Sequence, residues 1–250
     1  MALHLLTTMF SNHLNQNGPM YPGKNSIFKP NFILRTSIFL SILLVICTFF
    51  LYRPYAWPLG FEALGCLISV LLLTITFALL WFRKNKIEQK LQIRNVRIGL
   101  YLGLLWTIEI GINNIIYPGL PLRDYIDNGF FGLIALLIFF TSIREAFQAK
   151  SFSSGFKAGF YSGLASGVVS CLTALLLIVF GMKLLLLDPL NIREWSDVRS
   201  TVNSLSMSEY FAYQTLAGAI LHLFLGVIMG LFLGAIAGLM VMLKNIFKKE

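Results

Sequence analysis

A chain of 250 residues that is 57% hydrophobic and only 12% charged, with a mean hydropathy of +0.75, lacks the charged surface that a soluble domain of this size needs. Its net charge of +9 does not indicate nucleic acid, because the lysines and arginines cluster beside apolar runs, where they orient a chain in a bilayer and attract anionic headgroups. Cys47, Cys66 and Cys171 fall inside apolar runs without paired spacing, so they read as small packing residues and not as a disulfide or metal framework.

Residues 1–31 form an amino-terminal cytoplasmic segment. Leu3, Leu6, Phe10 and Leu14 recur at helical spacing over a stretch too short to span, which predicts an interfacial helix. Gly18-Pro19 and Pro22-Gly23 then mark an irregular linker. The first ten residues lack a basic start and no small-residue cleavage site follows, so no cleavable signal is expected.

Six apolar runs make up the transmembrane domain, 32–250: about 32–52, 60–82, 96–117, 129–147, 156–187 and 211–243. About 20 residues cross the hydrocarbon core at 1.5 Å each. The last two runs, at about 32 residues, must tilt or project. Lys24, Lys29 and Arg35, six residues from Arg83 to Arg97, Arg144, Lys150 and Lys157, and the tail lysines all fall on one side. Only Arg53, Arg123, Lys183, Arg193 and Arg199, of 20 basic residues, fall on the other. The positive-inside rule then puts both termini in the cytoplasm, as an even number of spans requires. The expected fold is all-α: a polytopic integral membrane protein of six transmembrane helices in three hairpins, most simply in a bacterial cytoplasmic membrane.

Asp188-Pro189 is a helix-start signal, an N-cap acid before a proline at the first helical position. Ile192, Trp195, Val198, Val202 and Leu205 follow at helical spacing, predicting an amphipathic helix on the outer surface between the fifth and sixth spans. Ser206 and Glu209 form a capping-box pattern that opens the sixth span. The starts of the odd runs share a pattern of basic, small, aromatic and small residues: Arg35, Ser37, Phe39, Ser41; Arg97, Gly99, Tyr101, Gly103; Lys157, Gly159, Tyr161, Gly163. This suggests a hairpin repeated three times about an axis along the membrane normal.

Two rows of small residues stand out. Gly155, Gly159, Gly163 and Gly167 recur every fourth position in the fifth run. Gly218, His222, Gly226, Gly230, Gly234 and Gly238 do so in the sixth. Such rows let a neighbouring backbone come close. Each step of four residues drifts by about 40° around the helix. Gly218 to Gly226 are therefore expected to face one neighbour and Gly230 to Gly238 another, with the fifth run as one of the two.

Ionisable groups inside spans are costly and need partners. Glu109 lies about 18 Å beyond Arg97 at helical rise. Trp106, Asn113 and Tyr117 share its face at spacings of three and four. His222 lies at comparable depth from the other direction. These five residues form the candidate binding site, with Glu109, Asn113 and His222 expected around one interior cavity, binding a cation, a proton or a polar solute.

There is no phosphate-binding glycine loop, no histidine pair at metal spacing and no nucleophile with a histidine and carboxylate assembled beside it. No catalytic residue, metal, cofactor or nucleic-acid partner is therefore expected, and an enzyme is disfavoured. The leading function is a small secondary transporter or channel-like protein for an ion or small polar solute. The alternative is a non-transporting assembly subunit whose glycine faces dock a second copy or a membrane partner. The lipid bilayer, with anionic headgroups on the cytoplasmic side, is the expected surrounding in either case.

Overall fold

The computed structural model describes residues 30–51, 75, 86–201 and 205–247. Among them every regular element is an α-helix: α1 (Pro30–Leu51), α2 (Lys86–Ile115), α3 (Leu120–Ala149), α4 (Phe152–Phe180), α5 (Met182–Leu187), α6 (Pro189–Val198) and α7 (Met207–Ile246). Five of these, α1 to α4 and α7, are long and apolar enough to cross a bilayer. The second expected span, 60–82, apart from residue 75, and the amino-terminal interfacial helix lie outside the described residues.

Tight turns make antiparallel neighbours. Tyr117-Pro118-Gly119 ends α2, with Tyr117 at φ 53°. This left-handed backbone is disfavoured for a residue with a Cβ, and its phenol offsets the strain by donating to the Leu184 carbonyl at 2.9 Å. Lys150 ends α3 in the same left-handed region at φ 50°, and the Ser151 N–H returns to the Ala146 carbonyl. That closure satisfies carbonyls orphaned at a helix end and lets α4 start two residues later.

Helix α4 is the centre of the bundle. It packs against α1, α2, α3 and α7, and its most apolar stretch is 61% buried where that of α3 is 22%. Leu34, Ile38 and Val45 of α1 meet Leu164, Ala165 and Val168 of α4 and Leu216 and Ala219 of α7 in one cluster. Leu102, Trp106, Ile134, Ile138 and Met229 form a second between α2, α3 and α7. The opposite faces expose large apolar side chains, among them Phe140, Phe180, Phe232 and Leu239. In water such faces would drive association; in a bilayer they meet lipid.

The contact between α4 and α7 is made backbone to backbone. A Cβ placed on Gly155 would crowd Gly238 N, one on Gly159 would lie 2.8 Å from the Gly234 Cα, and one on Gly163 would lie 2.8 Å from the Gly230 Cα and overlap the Gly226 carbonyl. One on Gly226 would lie 2.8 Å from the Gly167 Cα. Each step of four forward on α4 thus meets a step of four back on α7, so the helices are antiparallel. Gly226, Gly230, Gly234 and Gly238 all take this one partner, and the expected division between two neighbours does not occur. Gly218 has open space around it, because the drift of the row has by then turned its face away from α4.

Three further boundaries differ from the apolar runs. Helix α3 begins at Leu120, not near 129, so Arg123, Asp124 and Asp127 are helical. The fifth run is not continuous to 187: α4 stops at Phe180, Gly181 takes φ −110° and ψ 12°, and the six-residue α5 follows. Glycine holds a helix poorly, and hydropathy does not register such a break. Helix α6 ends at Val198, short of Leu205, with the Asp188 carboxylate accepting the Leu190 N–H at 3.0 Å. The capping box at α7 is complete in both directions between Ser206 and Glu209.

Gly163→Leu is expected to destabilise the bundle by about 2 kcal/mol or more, since overpacking against backbone leaves nothing flexible to move. Gly218→Leu is expected to change stability by less than about 0.5 kcal/mol. Unfolding midpoints of the two variants in mixed detergent micelles check the contrast; equal shifts contradict it.

Candidate functional site

Folding α2 against α3 about Pro118 brings two carboxylates together. The side-chain amide of Asn113, one turn beyond Glu109 on α2, donates to Glu109 Oε1 at 2.6 Å and to Asp127 Oδ1 of α3 at 2.7 Å. Both partners are acceptors, which fixes the orientation of the amide. The two acid oxygens therefore lie within about 5 Å of each other. Like charges at that separation repel by about 3 kcal/mol at an effective dielectric of 20. Glu109 and Asn113 are buried and Asp127 is half-buried. The pair thus has a wetter and a drier member.

Arg123 ties this hairpin to the chain that follows α4. Its Nη2 donates to the Asn113 backbone carbonyl at 2.6 Å, in the last turn of α2, and to Asp188 Oδ2 at 2.7 Å. A cation there satisfies a terminal carbonyl and complements the helix dipole. Asp188 is 1% exposed and uses its other oxygen to cap α6. Asn191 donates to the Leu185 carbonyl at 2.8 Å and fixes α6 against α5. The Arg123–Asp188 pair and the Glu109–Asp127 pair thus meet at Asn113, through its carbonyl and its side-chain amide. Glu109 Oε2 and Asn113 Oδ1 are buried with no hydrogen-bond partner among the described residues.

The five expected residues separate into groups. Glu109 and Asn113 are bonded together. Trp106, one turn below on the same helix, sits edge-on to the His222 ring with centroids 4.9 Å apart, and near Phe131 of α3. His222 Nδ1 lies 2.8 Å from the Gly218 carbonyl. No hydrogen bond joins His222 to Glu109 among the described residues. Tyr117 closes the hairpin against α5 by donating to the Leu184 carbonyl. Asp127 and Arg123 were not expected in the site. The signal for them was symmetry about Pro118, since Glu109 and Asp127 stand nine residues either side of it.

The opposite end of the bundle is basic. Arg94 of α2 forms an ion pair with buried Glu145 of α3, and Lys244 of α7 lies 4.8 Å from the Phe147 ring centroid. Arg97, Arg144, Lys150 and Lys157 belong to the same end of the sequence-adjacent helices. The acid pair and the Arg94–Glu145 pair therefore occupy opposite ends of one antiparallel helix pair.

Long apolar helices, outward apolar faces and buried polar groups define a multi-pass helical membrane protein. Comparison with family models, with characterised proteins and with solved structures finds no match.

Removing one member of a buried ion pair leaves the other charge uncompensated, at about 3 to 5 kcal/mol. Arg123→Ala is expected to destabilise by that amount, and Asp188→Asn by less because the amide still accepts from Leu190. Reversible unfolding of both single variants and the double variant gives the coupling; a coupling near zero contradicts the Arg123–Asp188 contact.

Proposed function

We propose that this is a small secondary transporter or channel-like protein for a cation or small polar solute, bound at the Glu109–Asn113–Asp127 cluster. The observation that carries the reading is the shared Asn113 amide. It holds two acid groups side by side inside a membrane bundle and leaves a Glu109 oxygen unpartnered. Two neighbouring carboxylates away from water are relieved by something positive between them, and Arg123 already serves Asp188. Half-buried Asp127 is the point of entry, and Trp106 and His222 continue the lining inward.

In this reading the chain has six spans in three hairpins with both termini in the cytoplasm. The acid cluster then faces outward and the basic end meets anionic headgroups inside a cell membrane. The assembly-subunit alternative needs free glycine faces. The rows from Gly155 to Gly167 and from Gly226 to Gly238 are consumed within the chain, which favours transport.

Glu109→Gln keeps the shape and removes the charge. Purified protein in liposomes is expected to move protons, alkali cations or small amines, and the variant to lose about tenfold or more of that flux, a change of about 1.4 kcal/mol in barrier or binding, with an unchanged unfolding midpoint. Undiminished flux in the variant, or none in the wild type for any solute, rejects the proposal.

A further inference from the structure

We propose that Glu109 and Asp127 hold a single proton between them, so that the ligand of the cluster is the proton. The inference rests on the transport reading of this cluster and deepens it by naming the bound species.

The donors and acceptors around the two acids do not balance. Asn113 Nδ2 carries two hydrogens and spends one on Glu109 Oε1 at 2.6 Å and the other on Asp127 Oδ1 at 2.7 Å. Nothing remains for Glu109 Oε2 or Asn113 Oδ1, which are buried without a partner among the described residues. Glu109 and Asn113 are 6% and 7% exposed, so bulk water does not serve them. Arg123 gives Nη2 to the Asn113 carbonyl and to Asp188, and its buried Nε bonds to neither acid. The Glu109 and Asp127 carboxyl groups also lie within hydrogen-bond reach of each other. Ionised carboxylates only accept, so two of them at that range need a hydrogen between them. One proton on either acid supplies the missing donor.

Charge points the same way. Helix α3 brings Arg123, one turn before Asp127, and the exposed Asp124. The α5–α6 junction brings Asp188, which is bound to Arg123, while Lys183 of α5 is exposed. His222 of α7 sits against the Trp106 ring and the Gly218 carbonyl. Helix α4 carries no charged residue after Lys157, and its Cys171 belongs to the cluster shared with α1 and α7. Arg123 and Asp188 offset each other, so two ionised acids would leave two uncompensated negative charges facing across the hairpin. One proton leaves one charge, and half-buried Asp127 is the member that water can reach.

A divalent metal cation fits this site worse. It takes about six or more oxygens, and no three acidic, histidine or cysteine side chains converge to hold one among the described residues. A proton needs two oxygens. Loading takes the proton from hydronium at Asp127, so one O–H bond breaks as another forms, and release returns it to water. No electron changes hands.

Purified protein in lipid bilayers at neutral pH is expected to show, by infrared spectroscopy, a carboxylic-acid carbonyl component that is lost in Glu109→Gln and lost equally in Asp127→Asn. If Glu109→Gln removes no such intensity, or Asp127→Asn leaves that component in place, the sharing is overturned. A second measurement needs no variant to fold. The carboxyl carbons of Glu109 and Asp127, followed by solid-state NMR of the wild type as pH is raised, are expected to change in two steps that both residues report. One independent step at each residue overturns the sharing. A shared proton without flux of any solute in liposomes supports the inference and rejects the transport reading. Sodium or potassium flux without a shared proton does the reverse.

Discussion

Everything in this bundle depends on two helices that touch without side chains between them. Where Gly155 to Gly167 meet Gly226 to Gly238, the nearest neighbours across the joint are backbone atoms, save at Gly238, where the Phe152 ring comes closest. A membrane supplies no hydrophobic drive to push helices together, since lipid tails are as apolar as leucine. Close dispersion contact along the glycine rows therefore does that work, and each added carbon would open the joint. With α7 held so close, its His222 reaches the Trp106 ring on α2 although α4 carries both helices. The central position of α4 follows, because its remaining faces must receive α1, α2 and α3.

The polar residues obey a complementary constraint. Lipid cannot satisfy them, so each must find a partner inside, and the α2–α3 hairpin is where most of them do. Its tight turn places Glu109 opposite Asp127 and lets Arg123 serve the end of α2 and Asp188 at once. Asp188 in turn caps α6, so this short amphipathic helix is anchored to the same cluster. The break at Gly181 gives the chain the change of direction that brings Asp188 back over the hairpin. One turn and one glycine thus assemble groups from α2, α3 and the α5–α6 junction.

Much of this could be read beforehand. The membrane class followed from the shortage of charge, and the α4 and α7 glycines, Glu109 and Asn113, and the caps at Asp188 and Ser206 were all visible as patterns. What escaped has a common cause. Hydropathy sees the mean of a window, so charged residues inside a helix look like a loop, as Arg123 and Asp127 did. By the same averaging a helix break inside a greasy run is invisible, as at Gly181. Gly218 belonged to its row in sequence but not in space, because a fourfold repeat rotates and a contact face does not. The repeat at the odd runs shows the same limit. Its small residues are buried on α1, α2 and α4 alike, yet Phe39 and Tyr101 face outward and Tyr161 is buried.

The contact between α4 and α7 can be observed without any substitution. Protein labelled with carbon-13 only at glycine, in lipid bilayers, is expected to give solid-state NMR cross-peaks between Gly163 and Gly230 and between Gly167 and Gly226. These carbons approach only if the two helices meet backbone to backbone. A spectrum in which both glycine rows are assigned and show no peaks between helices would contradict the account.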